Sequence, residues 1–338
     1  MKKLFVHIGM PRAGSSTIQT ALYEHRAAFA RGGLLYPLVD PAIVGSSDPA
    51  ALYNHKALQK YRYGLFSGRL YRAAHADIAA KIAAADCPKA LISYEGWWHP
   101  RRATYLGETL TMLGAGDTTV VATVRDASAF LRSLYKLQVA NLRTSDHLGA
   151  FARQSAGEPR LRYAAILDRL ERAATGRPVS LRFIPYRTLA ASGDLVSGFF
   201  REIGLEAEFA ATGLGLSLDG VNNWREESYS DAYILLLLRA VAIVGRRKLG
   251  RNLTQFRAIH DDLRAAHDLS ALRIRYRPSD FARLEGMVQK EMQAFWRRAF
   301  GTDYEPVLPA GAVEEPDIDL RDLTALDRDL TAALASLR

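Results

Sequence analysis

One cysteine, Cys87, stands in a chain of 338 residues. An intramolecular disulfide is therefore impossible, a zinc site built on cysteines is not expected, and a reducing compartment fits. Long apolar runs are also missing. None reaches the ~18 residues that cross a bilayer. The longest, Ala232 to Gly245, contains Arg239 and reads as a buried helix. The apolar stretch behind Lys2 and Lys3 falls short of the ~7 to 15 residues of a signal peptide and leads into glycine, so the chain reads as cytoplasmic. Repeats, low-complexity segments and nucleic-acid motifs are absent, and no nucleic-acid partner is expected. Acid is scarce relative to base. Lys and Arg number 45 against 36 Asp and Glu, a net charge of +9. From Glu305 to Arg338 eight acids oppose three bases, net −5, so residues 1–304 carry +14. Such an excess of cation suits an anionic ligand.

What is present is an ordinary globular composition, 49% apolar and 24% charged, which excludes disorder, collagen and coiled coil. The length allows one large α/β domain or two of ~150 residues. Four short, near-continuously apolar runs read as buried parallel strands: Leu4 to Ile8, Ala90 to Glu95, Thr118 to Arg125 and Val179 to Tyr186. Helical patterns lie between them, at Ser16 to Ala30, Asp77 to Ala85, Ala127 to Leu142 and Arg160 to Thr175. Alternation of this kind predicts a doubly wound α/β sheet. After about residue 187 the pattern is mostly helical, with helices at Leu195 to Gly204, Ser228 to Val244 and Ser279 to Phe300. Residues 32–75, with Tyr36, Tyr53, Tyr61, Tyr63 and Tyr71, show no period and read as an insertion. The division expected is one α/β domain over 1–304 and an acidic extension over 305–338.

The segment His7 to Gln19 carries the first chemical signal. A strand ends at Ile8, Gly9 and Gly14 frame a loop, Ser15, Ser16 and Thr17 follow, and a helix begins. Amide groups of such a loop converge on an anion, and the helix N-terminus adds about half a positive charge. Arg12 supplies a cation for charge-assisted bonds. The plainer alternative is a tight turn with a serine N-cap. The glycines have the spacing of a nucleoside-triphosphate loop, but Ser15 stands where that loop carries lysine, and the cation lies inside the loop. The pattern suits a single 5′-phosphate-type group without a bridging Mg²⁺.

Pro11-Arg12-Ala13-Gly14-Ser15-Ser16-Thr17 resembles the 5′-phosphosulfate loop of sulfotransferases that use 3′-phosphoadenosine 5′-phosphosulfate, PAPS. The flanking His7-Ile8-Gly9 and Ile18-Gln19 are similar to a bacterial branch related to carbohydrate, heparan-sulfate-type, sulfotransferases. The resemblance implies a P-loop-type fold and PAPS bound by Arg12, Ala13, Gly14, Ser15, Ser16 and Thr17. It also implies a 3′-phosphate site at Arg125, at a strand end, and Ser133, eight residues on. The proline the family commonly places after the asparagine or aspartate that follows the arginine is here Ala127. A structural ion pair of Arg125 is the alternative. The resemblance extends through about residue 230, including the segment Val221 to Ser228.

Glu95 falls at another strand end, so it shares the carboxyl rim of the sheet with the loop and Arg125, where open α/β sheets bind ligands. A carboxylate there can take a proton from an acceptor hydroxyl, and Ser93-Tyr94-Glu95 resembles the setting of the base in the carbohydrate branch. Pairing of Glu95 with Arg101 or Arg102 is the alternative. Trp97, Trp98 and His99 offer an acceptor-binding face, unless the tryptophans are core. His55 is a second candidate on the acceptor side, or an ordinary buried or surface histidine. His7 reads as buried and hydrogen-bonded. The basic stretch Arg239 to Arg251 suits either a polyanion or a solvated helix end. The expectation is transfer of a sulfuryl group from PAPS to a hydroxyl, a saccharide or glycolipid, with no metal required. The alternatives are an ATP-dependent small-molecule kinase and a non-catalytic anion-binding protein.

Overall fold

Parallel strands covered on both faces are near-continuously apolar, and in the computed structural model the interior strands follow this pattern with a few buried threonines, a serine and a histidine. The structure describes residues 2–45, 54–58, 68–114, 116–213, 230–270, 272–275, 278–306 and 324–337. In chain order the elements used below are β1 (Lys3–His7), α1 (Ser15–Glu24), β2 (Leu34–Leu35), α2 (Gly68–Ala84), β3 (Lys89–Ser93), β4 (Thr118–Val124), α3 (Ala127–Ala140), α4 (Tyr163–Ala174), β5 (Val179–Pro185), α5 (Leu195–Glu202), α6 (Asp231–Val244), α7 (Leu253–Ala266), α8 (Pro278–Phe300) and α9 (Thr324–Ala335).

By contact density the chain divides into two units. The first comprises Met1–Arg125, Glu158–Val221 and Gln289–Tyr304; the second comprises Asp126–Gly157, Asn222–Val288 and Glu305–Arg338. The sequence reading drew its boundary elsewhere, with one domain to residue 304 and a separate extension.

The first unit holds a five-stranded sheet in the order β2-β3-β1-β4-β5. Every pairing is parallel, with His7 opposite Ser93 on one side and opposite Val121 on the other. All seven residues of the interior strand β4 are buried, whereas β5, expected from the sequence to be buried as well, is the sheet edge and buries only Ile184. On one face Phe5, Leu91, Val121 and Ile184 form a cluster with Ile18 and Leu22 of α1 and Val196, Phe199 and Phe200 of α5. Each such side chain contributes roughly 1.5–3 kcal/mol by leaving water. Val6, Ile92 and Val120, which alternate with that set, are equally buried, and α4 packs along β5. The layers are those of an α/β protein with a parallel sheet flanked by helices, consistent with double winding.

Two local expectations change. The insertion at 32–75 contains a strand: Leu34 and Leu35 pair with Lys89 and Ala90 as the sheet edge. Two residues are too few to show a period. The helix expected from Asp77 begins at Gly68, because Tyr71, Ala74 and Ile78 form its buried stripe at helical spacing. Tyr53, Tyr61, Tyr63 and the segment Val221 to Ser228 lie outside the described residues.

The elements of the second unit among the described residues are helices. α6 packs against α3 and α9, and α9 against α7. Leu326, Leu330 and Leu334 make the buried face of α9, and Asp327 takes both ends of the Arg239 guanidinium at 2.6 and 2.9 Å. The interrupting arginine of the longest apolar run is thereby paired. α9 thus contributes core to this unit. Among the described residues no helix is long and apolar enough to cross a membrane.

Candidate functional site

The strand order reverses at β1, and the chain leaves its carboxyl end in the glycine-framed loop. The loop is pinned at its entry: Ile8 N–H donates to the Val121 carbonyl and Met10 N–H to the Thr123 carbonyl, each at 2.8 Å. Gly9 has no room for a side chain. A Cβ there would stand 2.4 Å from Thr123 Oγ1 and 2.5 Å from His7 Nε2. Arg12 then takes a positive φ of 68°, costly for a residue with a Cβ, and Gly14 a φ of 81°. Gly14 is the N-cap of α1 and provides no side-chain cap, which differs from the serine-capped turn held open from the sequence. The first amides of α1 therefore have no side-chain acceptor at the N-cap. Ser15 is buried, whereas Ser16 and Thr17 are half-buried at the first turn. Ala13 is a correction: it is fully buried and its N–H donates to the Met10 carbonyl at 3.1 Å, so its amide is used inside the loop.

Arg125 follows the last residue of β4. Its Nη1 donates to the Arg12 carbonyl at 2.6 Å, and its guanidinium lies 4.2 Å from the centroid of the Tyr186 ring. Tyr163 donates its hydroxyl to the Arg125 carbonyl at 2.7 Å. Arg125 thus braces the strained residue of the loop through a carbonyl. Ser133 lies half-buried within α3, in the second unit.

Glu95 begins a single 3₁₀ turn, Glu95–Trp97, two residues beyond the end of β3. Its Oε2 accepts from Gln19 Nε2 at 2.9 Å, so its partner is an amide on α1 rather than Arg101 or Arg102. The same Gln19 nitrogen donates to Ser93 Oγ at 3.1 Å, and Ser93 Oγ lies 2.8 Å from His7 Nδ1. His7 Nε2 faces Thr123 Oγ1 at 3.5 Å. Burial pushes the His7 imidazole down to about 3, so it is neutral, as its buried, hydrogen-bonded reading required. A polar chain Thr123–His7–Ser93–Gln19–Glu95 therefore runs under Gly9 from β4 across β1 to β3. It links the floor of the loop to the carboxylate on the rim.

Four residues expected on the acceptor side are found in structural roles. Trp97 and Trp98 are 1% and 0% exposed and present no face to an acceptor. Trp98 packs edge-on to Tyr163 and Phe295 and donates its indole N–H to the Arg160 carbonyl at 3.2 Å. Large apolar rings beside a sheet end are worth more in the core than on the rim. His55 is also buried. Its Nδ1 accepts from the Ser93 N–H at 3.0 Å and its Nε2 donates to the Pro37 carbonyl at 2.6 Å. Burial pushes it down to about 4. Both nitrogens are occupied, so His55 is a strut at the end of β3 and not an acceptor-side catalyst. His99 is half-buried and caps the turn at Pro100–Ala103, its Nδ1 accepting from Arg101 N–H at 3.2 Å. Burial, and then the charges of Arg102 and Arg160, hold it below the usual histidine range.

The sequence reading missed Gln19 as a site residue. Its signal was a polar residue on an apolar stripe, since Ser15, Ile18, Gln19 and Leu22 are the buried positions of α1 at helical spacing. Among the described residues no group of three or more His, Cys, Asp or Glu is placed to hold a metal ion. Comparison of the chain with models of protein families, with curated proteins and with solved structures finds no match.

Proposed function

We propose that the chain is a PAPS-dependent sulfotransferase on a P-loop-type fold, acting on a hydroxyl of a saccharide or glycolipid. The observation that carries the reading is the loop at the reversal point of the sheet. There Gly14 opens α1 without a side-chain cap, Arg12 holds a strained backbone, and Arg125 braces that backbone from the next strand. Backbone strain of about 1–3 kcal/mol is kept where the surroundings over-determine it, typically at ligand sites. The resemblance of Pro11 to Thr17 to the 5′-phosphosulfate loop supplies the identity of the anion.

Loop amides and the hydroxyls of Ser16 and Thr17 receive the 5′-phosphosulfate, with Arg12 adding positive charge. Arg125 supplies charge to the 3′-phosphate. The acceptor hydroxyl attacks sulfur in line. The new bond joins the acceptor oxygen to sulfur, and the bond between sulfur and the bridging oxygen of the 5′-phosphate breaks. Its electron pair leaves with 3′,5′-bisphosphoadenosine, whose charge the loop stabilises. The hydroxyl proton passes to Glu95.

Calorimetry with 3′,5′-bisphosphoadenosine, 5′-AMP and ATP tests the reading, together with turnover in EDTA. The expected result is much tighter binding of the bisphosphate than of either other nucleotide, and turnover that persists with chelator. Equal affinity for 5′-AMP removes the 3′-phosphate site. Turnover from ATP, abolished by EDTA and restored by Mg²⁺, makes the chain a kinase instead. Tight binding without turnover on any acceptor leaves an anion-binding protein.

A further inference from the structure

We infer that Gln19 is the positioning residue of Glu95 and ties the helix that opens at the anion loop to the carboxylate on the acceptor side. The inference rests on the sulfotransferase reading and adds to it a residue that the reading does not use.

Gln19 is 1% exposed, on the stripe that otherwise buries Ile18 and Leu22. A primary amide at such a place costs stability unless its hydrogen bonds are made, whereas Leu or Met would pack there without that cost. Both amide hydrogens have acceptors, Ser93 Oγ at 3.1 Å and Glu95 Oε2 at 2.9 Å. The chain continues beyond Gln19. Its N–H donates to Ser93 Oγ, Ser93 Oγ shares a hydrogen bond with Nδ1 of the neutral His7, and His7 Nε2 faces Thr123 Oγ1. A flipped amide would set its oxygen against the Glu95 carboxylate, which only accepts, so that neighbour fixes which way the nitrogen faces.

The consequence falls on Glu95. Gln19 holds Oε2, and Oε1 has no partner among the described residues. One oxygen is thus anchored and the other remains to receive the acceptor's proton. Ser15, Ser16 and Gln19 share α1, so displacement of this helix by an occupant of the loop moves the anchor of the base with it. A carboxylate on a one-turn 3₁₀ segment has no stiffness of its own, and misplacement of about 1 Å can cost ~10²-fold in rate.

The test compares wild type, Gln19→Met, Glu95→Gln and the double variant. Methionine matches the length and shape of glutamine but cannot donate. The expected result for Gln19→Met is a fall in kcat of ~10- to 100-fold, with bisphosphoadenosine Kd and the donor KM unchanged within error. In the Glu95→Gln background the same substitution is expected to cause no further fall, because Gln19 acts through Glu95. Should Gln19→Met fail to fold, Gln19→Glu keeps the shape, presents an acceptor to the carboxylate and is expected to lose at least as much kcat. Unchanged kcat, or a full multiplicative loss in the Glu95→Gln background, overturns the positioning role alone. A wild-type chain that neither binds bisphosphoadenosine nor transfers sulfuryl overturns the function and this role together.

Discussion

Gly9→Ala perturbs the loop at the point where the structure leaves least room. The added methyl would sit 2.4 Å from Thr123 Oγ1 and 2.5 Å from His7 Nε2, against the ~3.5–4.0 Å of an ordinary contact. About 1 Å of movement is therefore required. Neither neighbour yields easily, since Thr123 and His7 are fully buried and His7 is held by Ser93 at 2.8 Å. The loop itself is fixed on both sides of Gly9 by the hydrogen bonds that the Ile8 and Met10 N–H groups donate to carbonyls of β4. Overpacking costs about 1–3 kcal/mol, and a displaced buried hydrogen bond adds about 1 kcal/mol. A loss of about 2–4 kcal/mol lowers the thermal midpoint by roughly 5–15 °C for a unit of this size. Thermal and urea unfolding measure the loss, and calorimetry with bisphosphoadenosine should show weaker binding from the same variant. Adding Thr123→Ala removes the nearer obstacle and should return part of the stability. Gly286→Ala on α8 is the control, because nothing lies within 4 Å of its Cβ position and alanine there favours the helix. A Gly9→Ala protein with the wild-type midpoint would refute the close approach and the account of the loop's floor built on it.

Arg125→Ala is expected to weaken bisphosphoadenosine by ~2–4 kcal/mol and 5′-AMP by clearly less, because loss of the brace on Arg12 acts on both and loss of the 3′-phosphate contact on the first alone; calorimetry reads the difference, and equal losses for both nucleotides would make Arg125 a brace of the loop alone. Glu95→Gln should cut sulfuryl transfer by ~10²- to 10⁴-fold with bisphosphoadenosine affinity close to wild type, and wild-type turnover would remove Glu95 as the base. Acid should destabilise the fold through its buried histidines. His7 and His55 are held down to about 3 and about 4, so their neutral burial stabilises fully above the ordinary histidine range and is lost as pH falls through about 6.5 toward those values. Urea unfolding at pH 7, 6 and 5 should show that decline, and His55→Gln should remove about one proton, ~1.4 kcal/mol per pH unit, from its slope. An unaltered slope would mean His55 is not buried neutral.

Much of the fold was legible because the informative features are local. The runs around Phe5, Leu91 and Val121 read as strands because burial on both faces leaves them near-continuously apolar, and the run around Ile184 reads the same way although at the sheet edge it buries Ile184 alone. Gly204 was legible as a helix stop, and its φ of 71° shows why glycine stands there. The loop from Gly9 to Thr17 was legible as a motif because its amides, glycines and hydroxyls are consecutive in sequence.

What the tertiary structure decided depends on partners far apart in the chain. Leu34 and Leu35 are a strand only because Lys89 and Ala90 lie beside them. Trp97, Trp98 and His55 looked suited to an acceptor surface, yet Tyr163, Phe295, Pro37 and Ser93 enclose or bond them. Gln19 meets Glu95 across 76 positions, and nothing near either residue announces the other. Sequence pattern reports the average environment of a residue, buried or exposed, helix or strand. Which neighbour satisfies a buried polar group is a matter of how the parallel strands and their crossover helices stack, and that is settled only when the sheet closes its order around β1.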